Sequence, residues 1–349
     1  MKLFNLDCHI SVIADLKQIY ESLGHEVTSW SISGHNWVFG RDPSKVDVVN
    51  QDNWRNLDKN MCDKFYERYK DELSQYDAFI CTYPLSFALL YEKFKKPIIL
   101  HIPIRYEVPF HNDPSKWEWF NEYLKSGIDN GMIIPVANSV YDKKYFELFT
   151  DRECMLIPNM CEYTNTNWKP TINKFLYSGR LPVKFDDNII VDKSTLGRYK
   201  WNDLSSYKSM IIIPYTCSTM SIFEHYAANI PLFFPSKTFM MELYKTYGSY
   251  VLSELTWNRI FGTSTSSVIK VDTDNDPNKY GDIDIMSKWI DYSDFYTMPH
   301  ITYFDSFEDI YTKILSTDLN EVSSKMKECN RNRKESIYND WKKILDNIK

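Results

Sequence analysis

The chain predicts an α/β protein made of two doubly wound domains, each a parallel sheet with helices on both faces. Three observations carry this. Short apolar segments alternate with segments of helical period from the N-terminus onward, which is the pattern of βα units. That alternation stops at a polar stretch, Glu162–Asn173, and then starts again. Finally, 349 residues suffice for two domains with separate cores, since one domain holds roughly 100–200 residues.

In the first domain, set at residues 1–160, Lys2–Leu6 reads as a strand and Val12–Leu23 as a helix ended by Gly24. His25–Ile32 is a second strand, rich in β-branched and aromatic residues. A long polar loop spans Gly34–Asn56, followed by a helix over Lys59–Leu73. Strand Tyr76–Cys81, a helix from Leu85, strand Pro97–Ile102, helix Trp117–Lys125, strand Gly131–Val136 and helix Val140–Phe149 complete the series. The second domain, set at 161–320, has strands Lys174–Ser178, Asn188–Val191 and Met210–Pro214, then helix Ser221–Asn229, strand Pro231–Pro235 and helix Thr238–Tyr247. Residues 321–349 are charged, with apolar positions Val322, Met326, Ile337, Trp341 and Leu345 at helical spacing, and read as terminal helices lying on a domain surface.

Composition removes several function classes. Lys and Arg number 41 against 47 Asp and Glu, a net charge of −6, which argues against a partner such as nucleic acid or an anionic membrane. Glycine is scarce, 10 residues in all, and no two are one residue apart, so the dinucleotide G-x-G-x-x-G turn and the Walker A loop are both absent. Seven cysteines without a C-x-x-C pair fit a reducing compartment, and the seven histidines show no metal-ligand spacing. Met1–Asp7 does not have the form of a secretory signal, and the longest apolar stretches span about half of the ~20 residues a membrane helix needs. The expectation is a cytoplasmic protein without a membrane span.

Ligands of such sheets bind beyond the carboxyl ends of the strands. The most informative segment there is Met210–Ser236, where an apolar strand, a loop Tyr215–Met220 and a helix starting near Ser221 follow one another. Such a loop–helix junction, here Ser218, Thr219, Met220 and Ser221, offers backbone N–H groups and the positive helix end to an anion. Glu224 is placed on the first turn, where its carboxylate either takes hydrogen bonds from a diol such as ribose or closes a capping box with Ser221.

Three segments occur in order: Ile157-Pro158-Asn159, KFLYSGRL at Lys174–Leu181, and SIFEHYAANIPLFFP at Ser221–Pro235. They resemble the second half of GT-B glycosyltransferases of the retaining, family-4-like group. The resemblance covers residues 155–236 at motif level and most of the chain in pattern. The Tyr- and Asn-rich, glycine-poor composition also looks like enzymes encoded by large DNA viruses of algae or protists. The resemblance implies a GT-B fold with two Rossmann-like domains facing a central cleft. Its donor substrate would be a nucleotide-diphosphate sugar, with GDP preferred over UDP, and no further cofactor or metal would be required. Its acceptor would be a hydroxyl of a glycan or glycoprotein. Glu224 matches the second Glu of that family's E-x7-E motif, with His225 in place of the usual Ala and Thr216 where the first Glu belongs. Gly179 and Arg180 match a G-R that contacts the diphosphate, and Lys184 stands near the family's lysine. Arg and Lys suit a diphosphate by charge, and both are equally at home as solvated surface cations. Tyr199, Lys200 and Trp201 fall where the base-binding loop would lie, although Trp201 also fits a core position. Tyr215 belongs to the donor loop.

In the first domain His101 ends the strand PIILHIP, as in the family's strand whose His touches the donor sugar; an isolated His is also commonly structural. Arg105 and Glu107 follow it on the acceptor side. Asp7, His9 and Ser11 occupy the first strand–helix turn; His9 and Ser11 would bind a phosphate or an acceptor hydroxyl, with a helix N-cap as the alternative for Ser11. His9 and His101 are the general-base candidates if the reaction inverts. Asp272-Thr273-Asp274 spells D-x-D but reads as a solvated acidic loop, and Trp289–Tyr303, with Tyr292, Phe295 and Tyr296, as core packing. The alternatives to transfer are a sugar-nucleotide epimerase or hydrolase on the same scaffold, and a non-catalytic sugar-binding protein.

Overall fold

Two sheets, both parallel at every pairing, organise the computed structural model, which describes residues 1–252, 267–269, 271, 274–279 and 282–348. The chain divides into one unit of Met1–Asn159 with Val268–Val271 and Ser336–Lys349, and another of Met160–Ser267 with Asp272–Glu335.

The first unit runs β1 (Lys2–Asp7), α1 (Ile10–Ser22), β2 (Glu26–Ser31), α2 (Lys59–Leu73), β3 (Ala78–Cys81), β4 (Ile98–Ile102), α3 (Pro114–Asp129), β5 (Ile133–Ala137), α4 (Val140–Thr150) and β6 (Met155–Leu156). Its strand order is β2-β1-β3-β4-β5-β6. Strands covered on both faces carry no polar alternation, and β3 and β4 are buried at every position. Their faces are filled by aromatic rings: Phe79 stacks on Tyr91 with centroids 4.3 Å apart, and Phe4 meets Trp30 edge-on at 4.9 Å.

The second unit contains β7 (Phe175–Ser178), β8 (Ile190–Asp192), α5 (Trp201–Ser205), β9 (Met210–Ile212), α6 (Met220–Ala227), β10 (Leu232–Pro235), α7 (Lys237–Tyr247), α8 (Ile283–Ile290), α9 (Asp294–Thr297), β11 (Thr302–Phe304), α10 (Phe307–Ser316) and α11 (Leu319–Asn347). Its sheet has the order β11-β10-β9-β7-β8. From Ser336 onward α11 belongs to the first unit.

Several elements differ from the sequence reading. Leu85–Phe94 is a 3₁₀ run rather than an α-helix; eight of its ten residues are buried, so no polar face sets a 3.6-residue period. β6 and β11 were not expected. Both are edge strands of two and three residues, and β6 leaves Met155 and Leu156 exposed, so neither writes a periodicity. The charged tail is one helix, α11, in place of several.

Trp341 on α11 is 1% exposed and packs edge-on against Tyr20, with centroids 5.2 Å apart. Trp341→Ala is expected to lower stability by about 3–5 kcal/mol, as buried Trp-to-Ala changes do. Leu315→Ala, at a side chain 85% exposed, should change it by under ~0.5 kcal/mol. Urea unfolding of both variants checks the contrast, and equal midpoints would remove the assignment of Trp341 to the core.

Candidate functional site

In the second unit β7 pairs with β8 on one side and β9 on the other. The chain therefore leaves β7 in one direction and returns to its opposite flank, and a crevice opens beyond the carboxyl ends of β7 and β9. Gly179 and Arg180 follow β7 directly. Ile213 extends the ladder by donating its N–H to Ser178 O at 3.0 Å, and the loop from Pro214 to Thr219 then leads into α6. The structure brings Arg180 and Tyr215 together here: the guanidinium carbon lies 3.8 Å from the ring centroid. Gly179 is needed for space, because a Cβ would sit 2.3 Å from the Tyr177 hydroxyl oxygen and 2.6 Å from Cζ of that buried ring.

The start of α6 is unlike most helix starts in this chain. Side chains cap α2 (Asp58), α3 (Asp113), α4 (Ser139), α7 (Ser236), α8 (Asp282) and α10 (Ser306), each accepting a first-turn N–H. Thr219 precedes α6 and makes no such bond; its hydroxyl pairs instead with Ser221 Oγ at 3.0 Å. Ser218 is 6% exposed, and its Oγ has no hydrogen-bond partner among the described residues. The first N–H groups of a helix need an acceptor; the Ile222 N–H finds one in Thr219 O at 3.2 Å, and among the described residues the Thr219 side chain supplies none.

The capping box, one of the two readings of Ser221–Glu224, is not formed. Met220 is the first helical residue, so a box would need Thr219 and Ile222, and Glu224 falls on the second turn. Glu224 Oε1 accepts a hydrogen bond from the Tyr163 hydroxyl. Tyr163 lies in a 3₁₀ turn, Glu162–Thr164, and meets Trp201 edge-on with centroids 5.6 Å apart. No motif in the sequence pointed to Tyr163, since its partner is 61 residues away.

The remaining sites of the second unit are more peripheral. Lys184 is exposed. Tyr199 is 36% exposed with Lys193 Nζ 5.5 Å from its ring. Lys200 precedes α5 and donates its backbone N–H to Asp203 Oδ2 at 2.8 Å, while Trp201 is half-buried. Of the D-x-D stretch, Asp272 and Thr273 lie outside the described residues. Nearby Asp276 is engaged by the Ser267 hydroxyl at 2.6 Å and the Ser267 N–H at 2.9 Å.

The first unit repeats the topology, with β1 between β2 and β3. Asp7 ends β1 fully buried; its Oδ1 accepts from Ser31 Oγ at 2.7 Å and from the His9 N–H at 3.1 Å. Oδ2 has no partner among the described residues. Burial raises the Asp7 pKa to about 8, with the Ser31 and His9 hydrogen bonds opposing it. His9 is the N-cap position of α1 and is exposed; its ring lies edge-on to Tyr83 at 6.3 Å. Ser11 is the second residue of α1, which removes its N-cap reading.

His101 is fully buried, and its Nε2 lies 3.3 Å from Asn159 Oδ1. Asn159 Nδ2 donates to Asp15 Oδ2 at 2.8 Å. The amide oxygen therefore faces the imidazole, so Nε2 carries the proton and Nδ1 is bare. Burial lowers the His101 pKa to about 4, against the raising effect of Asn159. Arg105 is 3% exposed with its guanidinium 5.3 Å from the Tyr145 ring, and the Tyr145 hydroxyl donates to buried Glu107 at 2.8 Å.

Asp7 binds its proton more tightly in the folded chain than in the unfolded one. Its contribution to stability is complete below about pH 4 and is lost as pH rises to about 8. Asp7→Asn, which cannot ionise, is expected to flatten that slope. Urea midpoints measured from pH 4 to 9 check this, and parallel slopes for both proteins would show that Asp7 is not the group responsible.

No protein-family model matches the chain, and no curated protein sequence does. Among solved structures it is similar to the glycotransferase of kitacinnamycin, at 10% identity and a TM-score of 0.48 over 99% of this chain and 98% of that one. It is similar to CalG4, the calicheamicin glycosyltransferase, at 12% identity and a TM-score of 0.42 over 99% and 97%. It is also similar to the spinosyn rhamnosyltransferase SpnG, at 9% identity and a TM-score of 0.41 over 94% and 95%. The activities in those names belong to those proteins.

Proposed function

We propose that the chain is a GT-B glycosyltransferase that moves a sugar from a nucleotide-diphosphate donor, GDP-linked in preference to UDP-linked, to a hydroxyl acceptor such as a glycan. The observation that carries this reading is the second-unit crevice. An α6 start left uncapped by side chains, an arginine after the neighbouring strand and a carboxylate on the second turn answer a diphosphate and a ribose diol respectively. Residues 161–320 then form the donor domain, 1–160 the acceptor domain, and 321–349 the terminal segment. The retaining, family-4-like motifs, the viral resemblance and a cytoplasmic location belong to the same proposal.

Transfer breaks the bond between the sugar's anomeric carbon and the phosphate oxygen and forms one to the acceptor oxygen. Arg180, Lys184 and the N–H groups at Ser218–Ser221 would offset the charge that develops on the diphosphate. In the retaining form, the departing phosphate oxygen takes the acceptor's proton, so no carboxylate pair and no metal is required of the protein. Thr216, where the family has a Glu, is the residue that favours the alternative of sugar binding without transfer.

GDP at 100 times its dissociation constant should stabilise the protein by about 2.7 kcal/mol, read as a rise in Tm with chelator present. A rise that needs Mg²⁺ or Mn²⁺ would overturn the metal-independent part of the reading. Arg180→Ala should weaken GDP about ten- to a hundredfold, because a charge-assisted hydrogen bond is worth roughly 1.5–3 kcal/mol. Guanosine should be affected little, and equal losses for guanosine and GDP would place Arg180 away from the phosphates. Incubation with GDP- and UDP-sugars and a glycan acceptor separates transfer from hydrolysis and from binding alone.

A further inference from the structure

We infer that Tyr163 is the positioning residue that holds Glu224 for the ribose diol of the donor, an inference that rests on the donor-site reading above. The hydroxyl of Tyr163 donates to Oε1 of Glu224, and Oε2 takes no hydrogen bond from the described residues. A glutamate turns about three side-chain bonds and, unheld, spreads its carboxylate over many positions. One donated hydrogen bond selects a position, and the carboxylate keeps capacity for two more hydroxyls, one on Oε2 and one on the second lone pair of Oε1.

Tyr163 can do this because it is itself fixed from several directions. Its turn begins at Cys161, which is fully buried with φ 58°, and ends at Asn165 with φ 45°. Glu162 in the same turn pairs with Lys334 at 2.9 Å. Thr164 Oγ1 donates to Cys161 O at 3.2 Å, and Thr166 Oγ1 donates to Asn202 Oδ1 on α5 at 2.9 Å. The ring of Tyr163 rests edge-on against Trp201, the first residue of α5. Three separate segments thus set the place of one hydroxyl, and that hydroxyl touches the carboxylate.

Tyr163→Phe keeps the ring against Trp201 and removes only the donor. Binding is measured with GDP and with 2′,3′-dideoxy-GDP, and in parallel with the UDP pair, on the native protein, Tyr163→Phe, Glu224→Gln and the double variant. The inference expects Tyr163→Phe to bind the ribonucleotide roughly three- to tenfold more weakly, the worth of one hydrogen bond. Dideoxynucleotide affinity and Tm should be nearly unchanged, and Tyr163→Phe should add nothing in the Glu224→Gln background. Equal weakening of both nucleotides by Tyr163→Phe, or an undiminished effect when Glu224 is already Gln, overturns the positioning role while leaving the donor site standing. Loss of discrimination between ribo- and dideoxynucleotide in the native protein, or no binding of either pair, overturns the donor-site reading and this inference together.

Discussion

β7 is flanked by β8 and β9, and that placement decides what the second unit can bind. A parallel strand must be reached by a crossover, and crossovers leaving one strand toward both flanks cannot cover the ground between them. The ends of β7 and β9 are therefore left open by topology, whatever side chains occupy them. β1, between β2 and β3, is in the same position. The helix that follows at each opening, α6 in one unit and α1 in the other, starts without a side-chain cap, whereas α2, α3, α4, α7, α8 and α10 are capped. A cap contributes about 1 kcal/mol, and α9, away from either opening, also starts without one, so the missing cap alone does not mark a site.

The same comparison of magnitudes bears on Arg180. Its guanidinium rests on Tyr215, a cation–π contact of the order of 0.5–1 kcal/mol at a partly exposed site. Charge-assisted hydrogen bonds to a phosphate are worth roughly 1.5–3 kcal/mol each. The aromatic face therefore contributes to holding the guanidinium beside Tyr215, at the end of β7. Lys184 is exposed, and its charge acts through solvent and is screened by salt. Of the two cations Arg180 is the one whose place is set by the fold.

Much of this arrangement is written locally in the chain. The βα alternation gives both parallel sheets, and helix Lys59–Leu73 begins and ends where its apolar spacing says. The strand ends at Ser178 and Ile212 put Arg180 and the loop before α6 at one crevice once the strand order is known. What stayed unread depends on contacts distant in sequence or on very short elements. Tyr163 reaches Glu224 across 61 residues, and nothing near Tyr163 marks it as special. The capping box at Ser221 was a sound local pattern defeated by a helix whose N-cap is Thr219, two residues earlier. Gly179 looked like half of a phosphate motif, yet its position is also fixed by the Tyr177 ring behind it, which no spacing reveals.

The histidines of the first unit show how burial sorts residues that the sequence leaves equal. His101 lies near the carboxyl end of β4 and His9 just after β1, and both are proton-acceptor candidates for an inverting reaction. An acceptor must present a bare nitrogen to the substrate. The bare nitrogen of His101 is Nδ1, enclosed with no exposed surface, while Nε2 is committed to Asn159 and through it to Asp15. Desolvation lowers the pKa of both rings to about 4, so access and not basicity separates them. His101 therefore belongs to the packing beneath the crevice, beside Trp341 at 5.6 Å. His9 is exposed at the opening between β1 and β3, its backbone anchored by Asp7. A retaining transfer leaves both rings without a proton to carry, because the phosphate oxygen takes it. Under the proposed transfer, an inverting reaction would leave only His9 of the two open to a substrate, with Asp7 behind it fixing the turn through the His9 N–H.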